Sequence, residues 1–599
     1  MMNKALILLA MLVAAATPDA SAAASSNARP NVVLIMTDDQ GYGDLSCHGN
    51  PVLKTPNLDR LYNESVRLID YHVAPTCTPT RAALMTGHWS NRTGAWHTTL
   101  GQSLLREDEI TLGQIFNEAG YATAMFGKWH LGDNYPFRPE DRGFGEVMRH
   151  GGGTIGETSD YWNNAYFDDT YFHNGKPEPV QGYCTDVWFD YARRFIKAQK
   201  RASKPFLAYV STNAPHWPMH APPGFAASYE EKLGVYVGHF FGMIANIDHN
   251  VGRLRKFLED EGLAENTIFI FTTDNGTKAG DKIFNAGMRG KKTSEYDGGH
   301  RVPFFIHWPA GGLVGGRDVE PITAHVDVLP TLIDLCAIDT PKGLKFDGRS
   351  IRPLLDNMTE AENGSWPNRI LVTDSQRFLK PVKWNKTAVM TSRWRLVNGE
   401  ELYDIKRDPG QKNNVAVLHP EVITRLTAFY DNWWGELKPT FKNVPAICLG
   451  HNAENPVVLT SHDWVTLGKV AWNQSLVRQA LEKPTKIGYW NVNFVEAGDY
   501  AIRLRRWPKE VDAPITAALP GGEYVPGETP FRASPGNAVA ATTACVRIGE
   551  VTRELPVKSG DKEVVFRMTL PSGKTRMTAF FSNQDGGTVG AFYAYVRKM

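Results

Sequence analysis

The chain has 599 residues, of which 42% are hydrophobic and 22% are charged. This ordinary globular composition excludes a mainly disordered chain, a collagen-like fibre and a disulfide-stapled mini-protein, and the length favours about two to four domains. The 65 Lys and Arg residues balance the 64 Asp and Glu residues, so nothing global indicates a nucleic-acid binder or a polybasic membrane protein. Any recognition of anions must therefore be local.

The first residues have the pattern of a secretory signal peptide. Lys4 precedes an apolar run over 5–16, and Ala20-Ser21-Ala22 offers a small-residue cleavage site. A membrane anchor needs about 20 apolar residues, and this run is shorter. We therefore predict that 1–22 are removed and that the mature protein is exported, periplasmic or secreted, with no membrane anchor and no nucleic-acid partner.

Up to about residue 370, short apolar runs that end in polar residues alternate with helical patterns. The clearest runs are Val32–Met36, Phe206–Val210 and Ile268–Phe271. Such runs lack strict alternation, which is typical of strands buried on both faces. Strands that alternate with helices indicate an α/β domain, so we predict a mostly parallel sheet flanked by helices over 28–370.

The pattern changes after this domain. Over 371–444, short antiparallel strands and a helix near 420–434 predict a smaller C-terminal subdomain. From 445 to 599 the sequence is rich in strands and turns, which predicts an additional all-β module, in the form of a sandwich. The module either packs against the α/β domain or binds polysaccharide, and the lack of an exposed aromatic row favours packing.

Cys77 stands out among six scattered cysteines, which have no zinc-ligand spacing. Export would permit disulfides, but the spacing of the cysteines predicts no particular pairing. Cys77 opens the segment Cys77-Thr78-Pro79-Thr80-Arg81 near a helix start. From the residues alone, it is either a low-pKa thiol nucleophile or a buried cysteine beside a helix cap. The segment also resembles the type I sulfatase signature, CxPxR followed by LxTG.

The resemblance extends over roughly 28–440. The matching blocks are Gly127–Gly132, Ala214–Pro218, Thr273–Gly276, Arg289–Lys292, Gly298–Pro303 and Asp327–Leu332. The chain is thus similar to the formylglycine-dependent sulfatases of the alkaline phosphatase superfamily. This resemblance implies an alkaline-phosphatase-like fold and the hydrolysis of sulfate esters.

Four oxygen-bearing residues follow two of the predicted strands: Asp38, Asp39, Asp274 and Asn275. An isolated pair of this kind is usually a strand-end turn or a helix cap. Two pairs at one edge of a sheet favour a metal site, and hard oxygen ligands select Ca²⁺ or Mg²⁺. The resemblance implies one Ca²⁺, with Cys77 in its modified form as a further ligand.

The resemblance also implies how Cys77 acts. A separate formylglycine-generating or sulfatase-maturating enzyme would oxidise it to formylglycine, whose hydrate is a geminal diol. One hydroxyl would sit on the metal and attack sulfur, and the other would later expel sulfate by regenerating the aldehyde. Arg81 would stabilise this group.

The remaining catalytic roles are carried over by the same blocks. Lys128, Lys292 and His216 are expected to bind sulfate oxygens. Either His216 or Lys292 is the general acid for the leaving alcohol, with His216 preferred, and His130 is the base that collapses the sulfated diol. Only the alignment of the block favours Lys292 over the adjacent Lys291.

The substrate is less well determined by the sequence. Candidate sugar contacts are Trp96, His97, Asp160, Tyr161 and Trp162, and a well-packed loop is the alternative for each. We expect an exo-acting enzyme that desulfates glycan oligosaccharides. The alternatives are a broad arylsulfatase, a phosphonate monoester or phosphodiester hydrolase of the same superfamily, and a glycan-binding protein with an unmodified Cys77.

Overall fold

The computed structural model describes residues 29–340, 343–356, 366–480 and 487–599. The predicted signal peptide at 1–22 lies outside these ranges. Within them, no helix combines the length and the apolar character that crossing a bilayer requires.

A ten-stranded sheet organises the first part of the chain. Two further strands, β3 and β12, form a separate two-stranded sheet. In chain order, the strands of both sheets are β1 (Asn31–Thr37), β2 (Val66–Leu68), β3 (Tyr71–His72), β4 (Ala122–Gly127), β5 (Glu146–Arg149), β6 (Thr170–His173), β7 (Lys176–Pro179), β8 (Phe206–Ser211), β9 (Thr267–Thr273), β10 (Phe304–His307), β11 (Arg317–Val319) and β12 (Thr323–Ala324). The strand order is β11-β2-β10-β9-β1-β8-β4-β5-β6-β7. The five central strands, β9 to β5 in this order, all run parallel, so the predicted mostly parallel α/β fold is confirmed.

Helices cover both faces of this sheet, and two more follow it in the chain. They are α1 (Pro56–Glu64), α2 (Cys77–Thr86), α3 (Ser90–Thr93), α4 (Leu112–Glu118), α5 (Cys184–Arg201), α6 (Pro223–Asp260), α7 (Asp297–His300), α8 (Val328–Leu335), α9 (Arg352–Leu355), α10 (Pro420–Leu437) and α11 (Gln474–Arg478). In β1, Leu34 packs on the face of α2, α4 and α8, whereas Val33 and Ile35 pack on the face of α1, α5 and α6. This double burial explains the unbroken apolar run of β1.

A four-stranded antiparallel sheet follows, with α10 packed against it. Its strands are β13 (Leu371–Asp374), β14 (Thr387–Met390), β15 (Trp394–Val397) and β16 (Glu401–Asp404). Each consecutive pair is antiparallel, so the structure contains the antiparallel sheet and the helix that the sequence predicts for 371–444.

The last part of the chain forms two sheets around one hydrophobic core. The first sheet holds β17 (Ile447–Leu449), β19 (Trp490–Phe494), β21 (Thr543–Ile548), β22 (Val551–Pro556), β24 (Gly573–Ser582) and β25 (Thr588–Gly590). The second sheet holds β18 (Val457–Thr460), β20 (Gly498–Arg505), β23 (Val564–Leu570) and β26 (Tyr593–Lys598). Leu104, Phe137 and Trp162 of the catalytic domain enter the same core, so this module packs against that domain.

Candidate active site

Four parallel strands end side by side at one edge of the main sheet. In the order β9, β1, β8, β4, each is a parallel neighbour of the next, and ligands of such sheets bind beyond these carboxyl ends. The polar residues that follow are Asp274 and Asn275 after β9, Asp38 and Asp39 after β1, His216 in the loop after β8, and Lys128 after β4. The topology therefore brings six of the predicted site residues together.

Gly127 is required for the close approach of β4 and β8 at this edge. Its φ is 105°, and a Cβ there would lie 2.0 Å from the carbonyl oxygen of Ser211. Any other residue would push the strands apart or strain the backbone. The glycine thus lets the N–H of Lys128 donate to the same oxygen at 2.7 Å, which fixes the start of the lysine-bearing loop.

The oxygen-bearing residues form a donor set that fits a hard divalent cation. Asp38 Oδ1, Asp39 Oδ2 and Asn275 Oδ1 are buried and have no hydrogen-bond partner among the described residues. Asn275 Nδ2 donates to Asp39 Oδ1 at 2.9 Å, and the N–H of Asp39 donates to Asp274 Oδ1 at 3.1 Å. Since buried polar atoms without a partner cost free energy, and carboxylate and amide oxygens are preferred ligands of Ca²⁺ and Mg²⁺, the site suits such an ion.

Cys77 is the first residue of α2 and lies beside this donor set. Its Sγ and ligand atoms of Asp38, Asp39 and His216 lie within 4.8 Å of one another. Burial raises the pKa of the Cys77 thiol to about 12, although two nearby lysines act in the opposite direction. The unmodified residue is therefore a protonated thiol at neutral pH, which disfavours the low-pKa thiolate that the sequence left open.

Arg81 lies one helical turn after Cys77 and is 1% exposed. Its Nη2 donates to Asp274 Oδ2 at 2.7 Å, and its Nη1 donates to Ser211 Oγ and, at 3.3 Å, to the Lys128 carbonyl oxygen. Although burial opposes the charge, Asp274 raises the pKa of Arg81 above its usual value. The guanidinium therefore joins α2 to the ends of three strands and orients one carboxylate of the donor set.

Two lysines are paired with the carboxylates that follow β1. Lys128 Nζ lies 2.6 Å from Asp38 Oδ2, with both side chains fully buried. Lys292 Nζ pairs with Asp39 Oδ1 and lies 3.6 Å from Cys77 Sγ. By contrast, Lys291 contacts Asp281 at 3.1 Å and its side chain is 47% exposed. The geometry therefore favours Lys292 over Lys291 as the lysine beside Cys77.

His216 and His130 each hold one ring nitrogen on a backbone carbonyl. His216 Nδ1 donates to the Trp217 carbonyl oxygen at 2.6 Å, which leaves Nε2 at 3.8 Å from Asp39 Oδ2. His130 Nε2 donates to the Thr98 carbonyl oxygen at 2.9 Å, and its buried Nδ1 has no partner among the described residues. Burial lowers the pKa of both rings well below the usual value, so both are neutral and can accept a proton.

These groups form the floor of a cavity of about 550 Å³, which Cys77, His130, His216 and Lys292 line directly. The carboxylates, Asn275, Arg81 and Lys128 are buried behind these four residues. The wall above the floor consists of Thr76, Thr98, Thr99, Gly153, Glu157, Trp217, Tyr236, Lys278, Lys291, Thr293, Arg377 and Trp472. Arg377 follows β13 in the antiparallel subdomain, and Trp472 belongs to the all-β module. All three parts of the chain therefore line one cavity.

The loop that carries Glu157 is held by the all-β module. The N–H of Thr158 donates to the Trp472 carbonyl oxygen at 2.9 Å, and the N–H of Gln474 donates to the Gly156 carbonyl oxygen at 3.0 Å. Gln474 Nε2 also donates to the carbonyl oxygen of Glu157 at 3.2 Å. The module thus fixes the position of the cavity wall as well as contributing Trp472 to it.

His462 adds a charge to this contact from within the module. Its Nε2 lies 3.2 Å from Glu157 Oε2, and its Nδ1 lies 3.0 Å from Asp463 Oδ1. Burial lowers the pKa of His462, but the two carboxylates outweigh this effect and raise the pKa well above its usual value. The module thus places a positively charged ring against the Glu157 carboxylate.

Comparisons with known proteins show to which family the chain belongs. A family model described as Sulfatase matches residues 30–338, which is more than half of the chain, and one described as N-sulphoglucosamine sulphohydrolase, C-terminal, matches residues 290–428. The chain belongs to the sulfatase family. This sulfatase is a sulfuric ester hydrolase, and its resemblance to the formylglycine-dependent family is confirmed.

Relatives match this sulfatase over most of their own length. Arylsulfatase A of Homo sapiens is 32% identical over 446 residues, which cover 66% of this chain and 86% of that protein. Arylsulfatase J of Mus musculus is 29% identical over 445 residues, which cover 68% and 71%. The N-acetylgalactosamine-6-sulfatase of Canis lupus familiaris is 30% identical over 360 residues, which cover 56% and 67%.

Solved structures share the fold of this sulfatase. Ps i-CgsB in complex with k-i-k-neocarrahexaose superimposes with a TM-score of 0.61 at 26% identity, and the match covers 68% of this chain and 92% of that chain. The PsFucS1 sulfatase from Pseudoalteromonas sp. superimposes with a TM-score of 0.57 at 20% identity, over 70% and 92% of the two chains, which shows a common fold alone.

The five residues predicted to contact a sugar do not line the cavity. Trp96 is buried, and its Nε1 donates to the Phe378 carbonyl oxygen at 3.1 Å. His97 Nδ1 accepts the N–H of Thr99 at 3.0 Å. Trp96 therefore joins its loop to the antiparallel subdomain, and both side chains are buried outside the cavity lining, so the structure gives no support to the expectation that they meet substrate.

The segment 160–162 is likewise structural. Asp160 accepts the N–H groups of Gly151 and Gly156 at 3.0 and 2.9 Å. Trp162 is 6% exposed, packs against Trp507, and lies under the guanidinium of Arg478. Tyr161 lines a separate cavity at the contact between catalytic domain and module. The mixture of aromatic and polar residues here reflects the packing of two domains and does not mark the sugar site.

The residues that line the cavity instead are Glu157, Lys278, Arg377 and Trp472. The sequence offers a signal for Lys278, because it lies three residues after Asn275, one of the predicted metal ligands. No motif marks Arg377 or Trp472, since each reaches the cavity from a different part of the chain.

Proposed function

We propose that this sulfatase is exported and removes sulfate from the terminal residue of a sulfated glycan, using a formylglycine made from Cys77 and one bound Ca²⁺. The observation that carries this proposal is the position of Cys77 beside three buried oxygen atoms without partners, those of Asp38, Asp39 and Asn275. Export rests on the signal-peptide pattern of 1–22.

Asp38, Asp39, Asp274 and Asn275 would hold the cation. When bound, it supplies positive charge to the sulfate and to the nucleophilic oxygen on residue 77. Arg81 keeps Asp274 in place. Because Cys77 is 1% exposed within a fully buried helix, we infer that a maturating enzyme must reach it before the chain has folded.

Lys128 and Lys292 would bind the sulfate oxygens. Both ammonium groups are buried and face Cys77 and the donor set. Such preorganised charges stabilise the negative charge that develops on a tetrahedral anion during cleavage. Their ion pairs with Asp38 and Asp39 hold them in position without substrate.

The two histidines would move the protons. Nε2 of His216 faces the site while Nδ1 donates to the Trp217 carbonyl oxygen, so Nε2 of the neutral ring must first take up a proton, which a bound sulfate anion would favour, and His216 would then deliver that proton to the departing alcohol. His130 has one buried nitrogen without a partner among the described residues, which suits the base that takes a proton from residue 77. Each role follows from the nitrogen left free by the backbone contact.

The outer wall would bind the sugar. Trp217 and Trp472 offer indole rings, and Glu157 Oε1 offers an acceptor for a hydroxyl group, while Glu157 Oε2 accepts the N–H of Gly153 and faces His462. A hydrophobic ring with a few polar groups is typical of sites that fix a small polar ligand. We therefore propose one or two sugar rings above the sulfate site.

Mass analysis and sulfate release together test this proposal. The peptide that contains residue 77 should carry formylglycine in protein made with a maturating enzyme, and that protein should release sulfate from a panel of sulfated oligosaccharides. Protein with an unmodified Cys77 should bind the same oligosaccharides without turnover. Faster hydrolysis of phosphodiesters than of every sulfate ester would instead identify a phosphodiester hydrolase of this superfamily.

A further inference from the structure

The cations on the floor of the cavity are already matched by carboxylates. Lys128 pairs with Asp38, Lys292 pairs with Asp39, and Arg81 pairs with Asp274, as described above. Together with a divalent cation, this floor carries the positive charge that one sulfate group requires. Any further positive charge in the wall is therefore available to another group of the substrate.

Lys278 supplies such a charge. It lies in the loop after β9, where its N–H donates to the Asp39 carbonyl oxygen at 3.1 Å, and its side chain is half-buried and lines the cavity. Its ammonium group makes no ion pair or hydrogen bond within 29–340, 343–356, 366–480 and 487–599. A half-buried cation without a partner is costly unless a ligand neutralises it.

Arg377 adds a second charge from another part of the fold. It follows β13, and its exposed side chain lines the same cavity and makes no ion pair with the residues that the structure describes. The neighbouring Lys291, by contrast, is paired with Asp281. Guanidinium groups bind carboxylate, sulfate and phosphate in a bidentate manner, so Arg377 is well suited to a planar or tetrahedral anion.

Two other wall residues carry no positive charge. They are Glu157, whose Oε2 accepts the N–H of Gly153 at 2.6 Å and lies 3.2 Å from His462 Nε2, and Trp472 of the all-β module. The unpaired cations Lys278 and Arg377 are thus contributed by the catalytic domain and the antiparallel subdomain.

We propose that the substrate carries a second anionic group, a sulfate or a carboxylate, close to the scissile sulfate ester, and that Lys278 and Arg377 bind it. This inference rests on the proposed function and narrows its substrate class to glycans with two neighbouring negative charges. The uncharged hydroxyl groups of the same sugar face Glu157 and Trp472.

Binding to full-length Cys77→Ala protein tests the inference without turnover. The probes are galactose and N-acetylglucosamine monosulfates, each with a disulfate that shares one sulfate position, titrated by calorimetry. At least one disulfate should bind about tenfold or more tightly than its monosulfate, as expected for hydrogen bonds to charged groups. If no disulfate in the panel binds more tightly than its monosulfate, the inference is overturned.

Substitutions of Lys278 and Arg377 test whether these two residues cause the preference for disulfates. Arg377→Ala and Lys278→Ala should each reduce the disulfate-to-monosulfate affinity ratio several-fold, and Arg377→Lys should restore part of it. The matched control is Lys380→Ala, which removes an exposed lysine three positions after Arg377 that does not line the cavity. A ratio that survives in both alanine variants contradicts the inference.

The proposed function and the second anionic subsite can be contradicted by different results. If formylglycine-bearing protein releases no sulfate from any probe while Cys77→Ala protein still prefers disulfates, the chemistry is wrong and the charge assignment stands. If sulfate is released but mono- and disulfates bind equally, the sulfatase function stands and the second anionic subsite is wrong.

Discussion

The floor and the wall of the cavity are built in different ways. The floor comes mainly from residues that follow four adjacent parallel strands, and its charged groups are buried and paired, as in Lys128 with Asp38. The wall comes from loops of the catalytic domain, the antiparallel subdomain and the all-β module, and it includes unpaired cations and aromatic rings. The floor lies at one edge of a single sheet, whereas the wall forms where three parts of the chain meet.

This difference teaches which part of the site can vary. A change in the floor disturbs the packed ends of neighbouring strands and a network of ion pairs, so it affects the chemistry of every substrate. A change in the wall alters one contact and leaves the strand ends in place. We therefore expect floor variants to lose activity on all sulfate esters and wall variants to lose it selectively.

Cys77→Ala should give the largest effect, because it removes the precursor of the nucleophile. We expect kcat/KM to fall by at least about 10⁴-fold on aryl sulfates and glycans alike, as for the loss of other catalytic nucleophiles. Sulfate release by ion chromatography measures it. An unchanged melting temperature serves as the control for folding, and ordinary turnover by this variant would refute the mechanism.

Lys292→Ala should have the next largest effect. The loss of one preorganised charge-stabilising donor costs about 10²–10³-fold in rate, and Lys292 is the lysine beside Cys77. Lys291→Ala is the matched control, since Lys291 is paired with Asp281 at the surface, and we expect it to cost less than about tenfold. The reverse ranking would show that the wrong lysine has been placed in the floor.

Asn275→Ala should lower metal content and activity together. The variant removes one of the unpartnered oxygen atoms of the donor set, and losses of about 10–100-fold in metal affinity are typical even for residues that only support a ligand. Plasma mass spectrometry of dialysed protein measures bound Ca²⁺, and added Ca²⁺ should restore part of the rate. Full metal retention with a lower rate would remove Asn275 from the ligand set.

Trp162→Ala should have the smallest effect on chemistry and a large effect on stability. Trp162 is 6% exposed in the shared core of catalytic domain and module, and truncation of a buried tryptophan costs about 3–5 kcal/mol. Urea unfolding measures this loss. Per folded molecule, kcat/KM should change about equally for glycans and aryl sulfates, whereas a selective loss on glycans would restore Trp162 as a sugar contact.

The floor could be predicted from the sequence because its residues lie in short, ordered blocks at strand ends. Asp38 and Asn275 come directly after apolar runs that read as buried strands, and the sheet order brings those runs together. Lys292 could be chosen over Lys291 only by alignment of a block, and the structure supplies the physical reason, which is its ion pair with Asp39.

The wall could not be predicted, because it depends on how three units pack. Trp472 reaches the cavity only through the hydrogen bonds that join its segment to the loop at 156–158. Trp162 and Asp160 have the residue types of a sugar site, but Trp162 packs in the core shared with the module, and Asp160 accepts two backbone N–H groups of its own loop. Residue type alone does not separate these two uses.

The ratio of glycan to aryl sulfate turnover in Trp472→Ala tests the division between floor and wall most directly. Loss of the apolar surface that a stacked ring buries costs about 1.5–3 kcal/mol. In Trp472→Ala, kcat/KM for the glycan should therefore fall about tenfold or more, whereas kcat/KM for an aryl sulfate should change less than about threefold. Trp472→Phe should retain most of the glycan activity. Equal losses on both substrates would contradict the account, because the module would then support the floor and take no part in selecting the sugar.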